Sequence, residues 1–241
     1  MRKALILGLA LVFVLGMTVG VSAQPWHIGE PWSIDSTEYS VDLTNSLFGA
    51  ETFQSGNDNL AEIDQDGDDL KALVEQVPEW SGYSEDNEAF IDQDGVGLEA
   101  EIAQERAFNT ATIDQFGTDS YAGIGQHGYN NEATIYQDGY KEYARVSQGY
   151  AEDTIADVTQ LGELNRVRTQ QKGNNQEVWI KQYENSYNNY SRVFQDGNDS
   201  FAEIHQDGAE NGTFIEQLGD GLNAFSSQMG NNNSSIINQS N

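Results

Sequence analysis

The chain reads as an all-β protein: a β-solenoid of stacked two-strand coils, about 22 residues per coil, with cross-β stacking of its strands. Three observations carry that reading. Seventeen of the twenty glutamines fall on one grid, at 54, 65, 76, 93, 104, 115, 126, 137, 148, 160, 171, 182, 195, 206, 217, 228 and 239. The steps are 11 residues, except for 17 after Gln76, 12 after Gln148 and 13 after Gln182. Around each grid glutamine the neighbours repeat as A-x-I-x-Q-x-G: Ala four residues before in twelve of seventeen units, Ile or Val two before in fourteen, Gly two after in twelve. Asparagine recurs at a doubled period, six residues before every second glutamine.

The fixed positions are two residues apart. That spacing places Ala, Ile and Gln on one face of a strand and the variable residues on the other. An 11-residue period also suits a right-handed helical coiled coil, but strict alternation and a glycine in most units exclude it. The turn glycines, Gly67, Gly95, Gly117, Gly128, Gly139, Gly208 and Gly219, are expected to supply positive φ, several of them directly after an Asp.

The element order starts with a leader. Met1-Arg2-Lys3 is a positive n-region, residues 4–19 are an uncharged apolar run, and Val21-Ser22-Ala23 is a small-residue cleavage pattern, so residues 1–23 read as a secretory signal peptide. Residues 24–47 lack the repeat and hold Trp26, Trp32, Pro25 and Pro31; a cap, an export tag and a loose tail all suit them. Residues 48–241 are the repeat solenoid, interrupted near Pro78-Glu79-Trp80. Within it Asn59, Asn87, Asn109 and Asn131 mark every second unit; the next is Asn165, three units on, followed by Asn189, Asn211 and Asn233. The alternation therefore slips by one strand near 142–165. Either the Asn-bearing strand changes sides between two blocks of one solenoid, or one ancestral half-repeat was gained or lost without functional meaning.

Stacking at the roughly 4.8 Å β spacing puts like on like. The apolar column is Ile63, Ile91, Ile102, Ile113, Ile124, Ile135, Ile204, Ile215 and Ile237. Each such residue contributes about 1.5–3 kcal/mol when fully buried, against roughly 1.5 kcal/mol to order every residue of the strand. Apolar burial cannot carry the fold alone, so backbone and amide ladders must contribute. A lone buried amide is costly, but a column of amides bonded to one another satisfies itself. The candidate assembly core is Gln65, Gln93, Gln104, Gln115, Gln126, Gln137, Gln148, Gln206, Gln217 and Gln239 with Asn59, Asn87, Asn109, Asn131, Asn211 and Asn233. The last unit, Asn233 to Gln239, is complete and followed by no proline or polar helix, so that end is expected to be adhesive.

Composition excludes other classes. The chain has 39 acidic and 11 basic residues; two of the basic ones lie in the leader, and 9 minus 39 leaves -30 for the rest. Neither a nucleic-acid groove nor a polybasic membrane patch fits, and no specific membrane insertion is expected. With no cysteine there is no disulfide scaffold, thiolate zinc site or cysteine nucleophile. Three histidines, His27, His127 and His205, are too few for a histidine-rich metal site, and His127 and His205 are expected to point outward into solvent. No cofactor, metal or catalytic residue is assigned.

Residues 120–137, SYAGIGQHGYNNEATIYQ, resemble the curlin family of bacterial curli fibre subunits, whose pattern is S-x5-Q-x-G-x-x-N-x-A-x3-Q. Ser120, Gln126, Gly128, Asn131, Ala133 and Gln137 fill every fixed position, and residues 200–217 do so except for Thr213 in place of Ala. The resemblance implies a secreted β-solenoid that polymerises with itself into extracellular amyloid for adhesion and biofilm matrix. Its implied partners are further copies, another curlin-type subunit and dedicated export machinery. Residues 24–47 depart from the family, lacking its Gly-rich export segment.

Acids crowd the first block: residues 24–140 hold 25 acids and two bases, residues 141–193 seven of each. Stacking would set Asp64 on Asp92 on Asp114, with Asp66 and Asp94 beside them. These acids read as gatekeepers that keep the exported monomer soluble, and as a column whose repulsion salt, calcium or acid would relieve. The competing function is a monomeric secreted solenoid that binds a glycan or a surface. An outward threonine array for ice is absent: the position before each glutamine runs Asp64, Glu75, Asp92, Ala103, Asp114, Gly125, Tyr136.

Overall fold

The computed structural model describes residues 49–77 and 84–241. The leader, residues 24–47 and the Pro78 interruption fall outside the described residues. Every grid glutamine lies in a strand of its own, and all strands pair in parallel in two sheets. The nine-stranded sheet holds the odd strands: β1 (Ala50–Gln54), β3 (Lys71–Gln76), β5 (Glu99–Ala107), β7 (Tyr121–Tyr129), β9 (Tyr143–Glu152), β11 (Arg166–Asn174), β13 (Tyr190–Asp196), β15 (Gly212–Leu218) and β17 (Ser234–Ser240), in that order. The eight-stranded sheet holds the even ones: β2 (Leu60–Asp68), β4 (Glu88–Val96), β6 (Thr110–Thr118), β8 (Glu132–Tyr140), β10 (Ile155–Glu163), β12 (Glu177–Gln182), β14 (Phe201–Asp207) and β16 (Asn223–Met229). The chain crosses from sheet to sheet at every corner, so one odd and one even strand make a coil. This is a β-solenoid, and no helix is present among the described residues.

The period-two pattern decides which side chains enter the core. In β6, Ala111, Ile113 and Gln115 are fully buried while the residues between them are half-buried. The same three positions stack across coils: Ala89 on Ala111 on Ala133, Ile91 on Ile113 on Ile135, Gln93 on Gln115 on Gln137. One continuous apolar core results, with Ile63 and Ile237 half-buried at its two ends. Two interruptions are polar: Thr169 and Ser226 occupy the Ile position of β11 and β16 and are buried.

The irregular steps are absorbed at corners. The extra residue after Gln148 enters at Tyr150, with φ 51°, where the ladder to both neighbouring strands shifts register. The two extra residues after Gln182 form a turn before Tyr187, which bridges Glu163 and Ala209.

Six of the seven turn glycines hold positive φ as expected: Gly67 141°, Gly95 155°, Gly117 108°, Gly128 159°, Gly208 113° and Gly219 127°. Most corners also hold a second left-handed residue four places after the glutamine: Asp69 has φ 57°, Asp119 57°, Asn130 54° and Asn175 52°. Asp, Asn and Gly tolerate that conformation best. The glycine two places after the glutamine answers a second need as well. A Cβ on Gly95 would overlap the carbonyl of Gly117 on the next coil, and one on Gly117 would overlap that of Gly139. Gly67, Gly128 and Gly208 meet the next coil's backbone in the same way, and Gly219 meets the Asn241 side chain. Gly139 lacks positive φ altogether; it is required only because its coil lies against Gly162.

Candidate functional site

Two glutamine ladders run through the interior, and both have one direction. In the nine-stranded sheet each Nε2 donates to the Oε1 one coil further on: Gln54 to Gln76, then to Gln104, Gln126, Gln148, Gln171, Gln195, Gln217 and Gln239. In the eight-stranded sheet the chain runs Gln65, Gln93, Gln115, Gln137, Gln160, Gln182, Gln206, Gln228. Most of these side chains also reach across to backbone: Gln104 Nε2 donates to the carbonyls of Glu88 at 2.9 Å and Asn109 at 3.0 Å. Such an amide bridges the two sheets as well as two coils, which is how a buried polar row stabilises the fold.

Asparagines pin the corners. Asn87 Nδ2 donates to Asn59 Oδ1 at 3.1 Å, Asn109 to Asn87 and Asn131 to Asn109 at 3.0 Å. The ladder then stops, where Thr154 Oγ1 donates to Asn131 Oδ1 at 2.7 Å. It restarts on the opposite corner: Asn189 N donates to Asn165 Oδ1 at 3.1 Å, Asn211 N to Asn189 Oδ1 at 2.8 Å, and Asn233 Nδ2 to Asn211 Oδ1 at 2.9 Å. The slip is thus a change of sides by the asparagine column within one unbroken solenoid.

At that change stands Glu142, a residue the repeat pattern does not single out. It is 2 % exposed, its Oε1 accepts from Asn165 Nδ2 at 3.3 Å, and its Oε2 has no partner. Burial, reinforced by nearby Asp138 and partly offset by the Asn165 bond, pushes its carboxyl up to about 8. Thr169 is a second missed site, fully buried with an unpartnered hydroxyl between Val146 and Val193.

The acidic column forms as stacking requires: Asp64 pairs with Asp92 and Asp92 with Asp114, while Asp66 pairs with Asp94. Burial and then the neighbouring Asp92 raise the Asp114 carboxyl above its ordinary range. Histidine placement differs from expectation. His127 is mostly buried, with Nδ1 2.6 Å from the Glu105 carboxylate and its ring 4.4 Å from that of Tyr150. His205 lies 2.9 Å from Glu203 and is only a third exposed. Outward strand positions alone gave no sign of these carboxylate partners. Among the described residues no three His, Asp or Glu side chains converge to hold a metal ion.

At either end the ladders are open among the described residues. Terminal strands β1, β2, β16 and β17 each pair on one side only. In the final coil, Gln239 Nε2 donates to the Asn223 carbonyl and Gln228 Nε2 to that of Gly212, with no further Oε1 beyond them. The curlin-associated repeat model matches the chain twice, over residues 49–77 and 128–162. None of the curated proteins matches it.

Proposed function

Because the chain is a curlin-repeat protein folded as an open-ended β-solenoid, we propose that it is a structural subunit of an extracellular, curli-like amyloid fibre, grown by end-to-end stacking of coils and serving adhesion and biofilm matrix. The observation that carries this reading is the polarity of the glutamine ladders. One end offers Nε2 donors at Gln228 and Gln239, the other offers Oε1 acceptors at Gln54 and Gln65. Donor and acceptor ends complement each other head to tail, and a head-to-tail contact that does not close on itself makes filaments. Stacking would also complete the burial of Ile63 and Ile237, each contributing a part of the roughly 1.5–3 kcal/mol of a fully buried side chain.

Export through the leader, an extracellular location, the solubilising role of the acidic column and a second curlin-type subunit as partner belong to the same reading. The test is size-exclusion and electron microscopy of the chain without residues 1–23, held for days at room temperature. Thioflavin-binding fibres are expected. A monomer that never elongates would replace this function with that of a secreted binding solenoid.

A further inference from the structure

The strand count and the side-switch of the asparagines together constrain how two copies join. Among the described residues nine odd and eight even strands make eight and a half coils, so β17 projects half a coil beyond β16. If the next copy placed its β1 directly on β17, the eight-stranded sheet would lack a strand between β16 and the incoming β2. It would also set the incoming Asn59 on the corner opposite Asn233, since Asn59 precedes an even strand and Asn233 an odd one.

We propose that each copy instead joins after a half-turn about the solenoid axis, its β1 adding to β16 and its β2 to β17. The alternation of sheets is then unbroken. The rest of the interior follows. The incoming Asn59 lies one coil from Asn233 on the same corner, so Asn165, Asn189, Asn211 and Asn233 continue directly into the next Asn59 and Asn87. On the other corner, Leu222, which precedes β16, falls in line with the incoming Leu70 and Leu98, both buried. Gln239 and Gln228 find the acceptors of the incoming Gln65 and Gln54.

The slip near Glu142 thereby acquires a purpose. With an odd number of strands, a chain keeping asparagine on even strands throughout would meet its neighbour with the ladder on the wrong corner. Changing sides once inside each chain makes the ladder continuous across the joint, and places its break in the interior, where Glu142 and Thr154 stand. The half-turn rests on the end-to-end reading above, and the test separates the two.

The chain has no cysteine, so paired substitutions report the joint cleanly. Asn238, Asp64, Phe53 and Ser227 are all exposed on outward positions, so replacing them leaves the core intact. In parallel in-register strands, paired residues lie about 4.8 Å apart, within disulfide reach, whereas the two ends of one chain are about 40 Å apart, so only neighbours can cross-link. Under the half-turn, fibres of the Asn238→Cys/Asp64→Cys chain and of the Ser227→Cys/Phe53→Cys chain oxidise to multimer ladders on non-reducing gels, with at least about tenfold more product than Asn238→Cys/Phe53→Cys. Cross-linking through Asn238→Cys/Phe53→Cys instead overturns the half-turn and leaves end-to-end growth standing. Fibres with no cross-link from any pair overturn both, as does the absence of fibres.

Discussion

Replacing Glu142 by Gln should stabilise the solenoid by an amount that depends on pH, and the size follows from the site. The side chain is buried at the corner where the asparagine ladder changes sides, with one oxygen held by Asn165 and the other unpartnered. Its carboxyl titrates near 8 in the folded chain, against an ordinary value of 4.5. Between those values the folded state holds a proton that the unfolded chain releases, so this group's contribution is full below pH 4.5 and declines as pH rises to about 8. At 1.36 kcal/mol per pH unit the window corresponds to a loss on the order of 5 kcal/mol. Gln is neutral at every pH and keeps an oxygen for Asn165. Urea unfolding of freshly desalted monomer, followed by circular dichroism from pH 4.5 to 8.5, should show wild type and Glu142→Gln nearly superposed at the acidic end and diverging steadily towards pH 8, with the variant more stable. Parallel curves over that range would refute the burial argument, because every other carboxylate is common to both chains.

Further outcomes follow from neighbouring columns. Thr169→Val removes a buried unpartnered hydroxyl between two valines, and should raise stability by about 1 kcal/mol or more, read as a higher urea midpoint with unchanged slope. Gln126→Ala leaves Gln104 Nε2 and Gln148 Oε1 without their ladder partner, and should cost at least about 2 kcal/mol in the same assay; a loss no larger than that of an exposed substitution would deny the ladder any stabilising role. Asp64, Asp92 and Asp114 repel at roughly 0.9 kcal/mol per adjacent pair even in water. Half-molar salt, or Asp114→Asn, should therefore shorten the thioflavin lag. Mild acid should do the same, since Asp114 takes up its proton at higher pH than an ordinary aspartate.

The strands were legible because a two-residue alternation tied to a regular glutamine leaves one choice of inward face, and each grid glutamine occupies its own strand. The corners were legible only in outline. Glycine draws attention as the turn residue and holds positive φ at Gly95 and Gly117, but the backbone of the next coil demands it too, a contact between those two glycines that no local pattern displays. The left-handed residue did carry a signal, in the Asp or Asn four places after the glutamine at Asp69, Asp119, Asn130 and Asn175. Leu164 and Phe108 hold the same conformation without that signature, at φ 59° and 60°. Glu142 and Thr169 are single departures from a column, and a departure becomes a site only once burial is known. His127 shows the opposite difficulty, since strand parity places it outward while burial against Glu105 depends on the surface around it.

X-ray diffraction from aligned fibres of the chain without residues 1–23 tests the central claim most directly. Stacked coils predict a sharp reflection near 4.8 Å along the fibre axis and a diffuse one near 10 Å across it. A 4.8 Å spacing perpendicular to the axis, or a preparation that yields only compact particles, would contradict growth by stacking of amide-laddered coils.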